Sequence, residues 1–219
     1  MDAAEVVDQF RSDVNDVAEP KLWPDEEVFR YLDDAQKMFC RLGGGLGDAT
    51  TPAITALPVD IGNDTLKLDP RILKFRDAYT VSDGQPIEII NYKDFRRLGL
   101  RWDGRTGPVR YVIIGMQPHH ARLYPNPTVT DTIQTMVDRL PLESISVDDT
   151  SAELEIDEQH HPHLTLWMRH RAYAKQDSET YDKQKSADFE AQFRAYCALA
   201  FEEKNRAMHK TRVVEYGGL

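Results

Sequence analysis

The residues best suited to chemistry are two histidine groups, His160-His161-Pro162-His163 and His119-His120. Three neutral imidazoles converging on one point could hold zinc. A catalytic zinc helix, however, sets two histidines one turn apart with an acid placed as base, as in HExxH, and the sequence contains no such pattern. Pro162 also spoils the helical spacing, so the cluster reads as a helix start with polar capping groups. The carboxylates Asp148-Asp149 and Glu153, Glu155, Asp157 and Glu158 could supply paired acids or a magnesium site. A run of like charge in a surface loop is ordinarily just solvated. Ser144, Ser146 and Ser151 have no GxSxG context, and neither Cys40 nor Cys197 sits in a nucleophile motif. Gly43-Gly44-Gly45-Leu46-Gly47 has the composition of a phosphate cradle, but it follows a helical pattern rather than a strand and lacks a following Lys-Ser or Lys-Thr. It reads as a connection from helix to sheet. No catalytic residue, cofactor or metal is assigned.

The elements around these residues follow from periodicity. Val6, Phe10, Val14 and Val17 recur at helical spacing over Ala3 to Val17, and Pro20 ends the pattern. Trp23-Pro24-Asp25-Glu26-Glu27 is a helix start, with proline at the first position and acids against the positive end of the dipole. Val28, Leu32, Ala35, Phe39 and Leu42 then form one apolar stripe, which the three glycines 43–45 stop. From about Thr51 to Asp149 short apolar runs alternate with Gly62-Asn63-Asp64, Asp83-Gly84, Asp103-Gly104, Gly107-Pro108 and Pro125-Asn126-Pro127. The runs Ile87 to Tyr92, Val109 to Gly115 and Thr132 to Leu140 are predicted to be antiparallel strands, with a short helical turn at Phe95 to Leu98. Alternation of Val109, Tyr111 and Ile113 with Arg110 and Val112 implies one face buried more fully than the other. Helical period returns with Leu164, Trp167, Arg171 and Ala174, and again from Asp177 to Met208. In the aromatic set Tyr173, Tyr181, Phe189, Phe193 and Tyr196, core is the simpler reading and an interface stripe the other.

The expected fold class is therefore α+β: a helical bundle from residues 1–50 and 151–208, an inserted antiparallel β-sandwich or barrel module at 51–150, and an extended C-terminal arm at 209–219. The arm is basic, then β-branched, and cannot close a core, so it is a frayed end or a segment that orders on a partner.

Composition narrows the function further. At 219 residues the chain can bury a core without staples. Its two cysteines show no paired spacing, which points to free thiols in a reducing compartment. The start lacks a signal-peptide pattern, and no stretch approaches the apolar length of a membrane helix. With 27 Lys and Arg against 37 Asp and Glu, the net charge of −10 argues against a duplex binder that relies on neutralising phosphates.

Four stretches together resemble the podovirus-type phage adaptor family, the head-to-tail connectors also called tail tubular protein A-like. They are Leu22 to Glu27 running into Tyr31 to Gln36; Leu68 to Leu73; Arg171 to Asp177 with Tyr181-Asp182 and Lys185; and Val213 to Leu219. The resemblance implies a non-enzymatic homo-oligomer, a twelve-fold ring between the portal protein and the tail tube or nozzle, with DNA passing through the lumen without specific binding. It implies a place in the virion neck for a protein made in the host cytoplasm. It also implies that the arm docks on the portal through Lys210, Arg212, Val213, Val214, Tyr216, Gly217 and Gly218. Such an arm can add a strand to an exposed edge, its glycines allowing close backbone approach. Two other readings remain open on the residues alone: a tail-associated module in which the β region binds the host surface, and a metal-dependent enzyme built on the histidines and acids.

Overall fold

The computed structural model describes residues 1–176 and 180–208. The chain separates into two compact units, one made of Met1–Gly44 and the described part of Glu143–Leu219, the other of Gly45–Leu142.

The first unit is built from α1 (Ala3–Asp13), α2 (Asp25–Leu42), α5 (His161–Ala174) and α6 (Lys183–Met208). Asp2 caps α1 in a reciprocal box with Glu5. The helix ends a turn earlier than its apolar period suggests. Asn15 takes a left-handed conformation (φ 57°), which leaves Val17 exposed and brings Asp16 back against Arg11. Asp25, Glu26 and Glu27 occupy the first turn of α2, whose stripe Val28, Leu32, Ala35 and Phe39 is buried. Helix α5 packs against α1, α2 and α6 and buries one broad face, His161, Leu164, Thr165, Trp167, Met168 and Ala172. Phe10 meets Trp23 edge-on, and Trp167 packs on Phe193. Of the aromatic set, Phe193 is core, whereas Tyr181 is 48% exposed. No helix among the described residues is long and apolar enough to cross a membrane.

The second unit is a β-sandwich. In one sheet β8 (Asp131–Arg139) is central, with β1 (Leu46–Asp48) and β2 (Ala56–Val59) paired to successive parts of one side and β4 (Ile72–Thr80) to the other. The second sheet runs β3 (Thr65–Lys67), β7 (His120–Tyr124), β6 (Tyr111–Gln117), β5 (Glu88–Asn91). Leu57, Val59, Ala78 and Ile133 of the first sheet meet Leu66, Val112, Ala121 and Leu123 of the second in one core. Short helices α3 (Pro52–Thr55) and α4 (Tyr92–Arg97) complete the unit.

Among the described strands pairing is antiparallel except between β5 and β6, which are parallel; outside the strands an isolated parallel bridge joins Thr106 and Asn126. Segment 92–110, containing α4, is long enough to carry the chain back for a parallel partner, where a hairpin would have forced the opposite direction. The same segment explains a second departure from the one-sided burial expected for β6. Val112 faces the inter-sheet core, while Ile113 on the opposite face is covered by Phe95 of α4 with Ile90 and Tyr124.

Candidate interaction surfaces

The histidines are used inside the helical unit and in a β-turn. A single 3-10 turn, Glu158–His160, leads into α5. His161 is 3% exposed, and its Nε2–H donates to the Ile156 carbonyl at 2.7 Å. His160 Nδ1 is hydrogen-bonded to the Tyr196 hydroxyl at 2.8 Å, and the His163 ring lies flat on Tyr196 with centroids 3.6 Å apart. Burial pushes His160 and His163 below the usual imidazole value. His119, at φ 55°, shapes the turn between β6 and β7, where His120 Nδ1–H donates to the Pro118 carbonyl. Among the described residues no three His, Cys, Asp or Glu side chains gather as a metal site requires. These rings act as packing and hydrogen-bonding groups.

The other reactive types are also placed by structure. Ser144 accepts from Lys37 Nζ at 2.9 Å, and Ser151 donates to Asp149. Cys197 is fully buried and its thiol is pushed up to about 12, which leaves it protonated; Cys40 is buried too. The glycine run is a conformational device. Gly44 and Gly45 have φ of 87° and 74°, and a Cβ at Gly44 would strike the Phe201 ring.

The motif stretches that carry the family resemblance act as fasteners. Trp23, 1% exposed, has its carbonyl held by Arg11, which also pairs with Asp16 and Asp25. Asp34 of α2 accepts from the Trp167 indole and pairs with Arg171, while Glu27 pairs with Lys175, so α2 is bound to α5 along its length. In the β unit Arg71 grips Asp69 and reaches the Leu142 carbonyl, and its hydrogen bond holds the Asp69 carboxyl below the usual range. The C-terminal arm, with Lys210, Arg212, Val213, Val214, Tyr216, Gly217 and Gly218, lies outside the described residues.

Two surface features of the β unit carry no sequence motif. A groove of about 580 Å³ opens beside β4, lined by Ile72, Phe75, Ile87, Ile89, Ile114 and His119. On the outer face of the β3-β7-β6-β5 sheet, α4 and the loop after it form a cap. Phe95 stacks on Trp102 at 4.4 Å, both meet Tyr124, and the Arg122 guanidinium lies 4.0 Å from the Trp102 ring centre. The segment 92–110 that includes the cap carries Lys93, Arg96, Arg97, Arg101, Arg105 and Arg110, all exposed. A local charge count along the sequence, set against the net −10, is the signal that marks it.

No curated protein matches the chain. The family model of the SU10 adaptor protein matches residues 1–214, spanning both units and the Asp34, Glu27, Arg71 and Arg171 fasteners. With that match over nearly the whole length, on an α+β frame of terminal helices and antiparallel sheets, the chain belongs to the SU10 adaptor protein family, the head-to-tail adaptors of phages.

Proposed function

We propose that the protein is a non-enzymatic ring subunit of the phage neck, seated between the portal and the tail tube or nozzle, with DNA passing through the lumen. The observation that carries this reading is the adaptor-family match over residues 1–214. In this reading the helices of 1–50 and 151–208 form the ring framework, 51–150 is an inserted module, and 209–219 is the arm that docks on the portal. A closed ring sets one patch of each subunit against a different patch of its neighbour, so a modest contact is multiplied around the circle. Twelve copies is the number the family resemblance supplies. An acidic subunit suits a conduit, because like charge keeps DNA from adhering as it moves. The arm's β-branched run would gain main-chain hydrogen bonds on an exposed strand edge of the portal.

The test is docking of the purified chain on portal complexes, imaged by electron microscopy, with and without residues 209–219. The full chain is expected to add a ring of density beneath the portal, and the truncated chain to lose most of that occupancy. Equal docking by the truncated chain would refute the arm's role, and an absence of rings from the full chain would refute the ring.

A further inference from the structure

Segment 92–110 holds six Lys and Arg residues and only two Asp, in a chain whose net charge is −10. Asp94 is engaged by the Asn91 side chain at 2.6 Å, and Asp103 pairs with Arg105. Lys93, Arg96, Arg97, Arg101 and Arg110 are exposed, and among the described residues none of the five has a carboxylate within 4.0 Å. Like charges gathered on one short segment repel one another, so the free surface is electrostatically unfavourable until an anionic partner covers it. The cations also stand on a fixed frame. Phe95 is fully buried and stacked on Trp102, which limits the ordering cost that binding would otherwise impose. Tyr92 and Leu98, 41% and 54% exposed, add apolar area among arginines, the mixture that interface centres favour.

Segment 143–158 has the complementary character, with seven Asp and Glu and no Lys or Arg. Leu154 and Ile156 turn inward at 8% and 3% exposure, so the alternating Glu153, Glu155 and Asp157 turn outward. Glu143, Asp148, Asp149, Glu153 and Asp157 are exposed, and among the described residues none has a cationic partner within 4.0 Å.

We propose that the arginine-rich cap of one subunit docks on the carboxylate-rich segment 143–158 of a second copy, and that this is the head-to-tail contact that joins neighbours in the assembly. The inference rests on the ring reading and specifies its interface. A second copy is the occupant the charges favour, because segment 143–158 of the same chain supplies seven carboxylates and no Lys or Arg, the complement the cap lacks. A cyclic contact, in turn, requires two different and complementary patches on the same chain.

Sedimentation velocity on the full chain tests it, using Arg96→Glu/Arg97→Glu/Arg101→Glu for the cap and Asp148→Lys/Asp149→Lys/Glu153→Lys for the segment. The unaltered chain should self-associate at about 50 mM salt and at least roughly tenfold more weakly at about 500 mM, where screening shortens the reach of charge. Each variant alone should remain monomeric. An equimolar mixture of the two should regain association, because each reversed patch then meets its reversed complement. If circular dichroism shows the cap variant unfolded, Arg96→Gln/Arg97→Gln takes its place and should weaken association without abolishing the fold. Association of the variants equal to that of the unaltered chain would overturn the proposal, as would a chain that stays monomeric at low salt. A cap variant that loses binding to a short DNA duplex but still self-associates would assign the surface to nucleic acid instead. Rings built on portal complexes by the cap variant would remove this contact while leaving the ring itself standing.

Discussion

At the scale of single residues, the side chains that look chemical spend their polarity on the fold. Asp48 and Arg139 show this inside the β unit: the side chains are 3% and 10% exposed and meet at 2.6 Å. Burial alone would raise the Asp48 carboxyl, yet hydrogen bonds from Thr51, Arg139 and the Thr50 backbone hold it far below the usual 3.8. Removing one partner strands a buried charge, so Asp48→Ala should lower unfolding free energy by about 3–5 kcal/mol, read as a shift of the urea midpoint. The histidines make a pH prediction. His160 and His163 titrate below the usual 6.5 when folded, chiefly through burial. A base held below its unfolded value binds fewer protons in the folded state than in the unfolded one. Stability from the Tyr196 cluster is therefore complete above about pH 6.5 and falls as pH drops through the window beneath it. Thermal melts at pH 7.5 and pH 5 should show this loss, and replacing His160 and His163 with Phe should flatten it; a loss undiminished in that variant would exclude these two rings as its source.

At the scale of elements, what could be read from sequence depended on which side chains cover each face of a segment. Helix α2 is covered on one side, so its stripe from Val28 to Phe39 reads directly, as does its stop at Gly43. Helix α5 reads less directly: of the expected Leu164, Trp167, Arg171 and Ala174 only the first two are buried, together with Met168 and Ala172, while Arg171 is spent on Asp34. The end of α1 was hidden because a charge won over an apolar period: Asp16 turns in to Arg11, and Val17 is left in solvent. Strand β6 was misleading for a related reason. Alternation assumes one wet face, and Phe95 with Trp102 keeps the second face dry. The cap is thus an energetic part of the sheet. Phe95→Ala should cost about 3–5 kcal/mol and change Trp102 fluorescence, because it removes a fully buried ring and the stack upon it. A variant with unchanged stability would mean that segment 92–105 packs without needing that ring.

At the scale of the whole molecule, charge is divided unevenly along the chain. Residues 45–142 hold twelve Lys and Arg against eleven Asp and Glu, so the remainder carries −11, more than the whole net −10. That imbalance was available from sequence, but its meaning depended on the fold. Only the anchoring of Phe95 and Trp102 shows that the segment bearing these cations is held against the sheet, and only the inward turn of Leu154 and Ile156 shows that Glu153, Glu155 and Asp157 face outward. The salt dependence of assembly is the property in which this division should appear, and it belongs to the assembled subunits rather than to any single side chain.

Register pairing sets Leu46 opposite Arg139, so the first and last strands of the β unit lie side by side. A segment whose two ends leave from one spot behaves as a cassette. It can be lengthened, shortened or exchanged during evolution while its host sees only a change of loop, as interior insertions generally allow. The family could in this way vary what its members present from this unit while keeping the helical sequence that frames it.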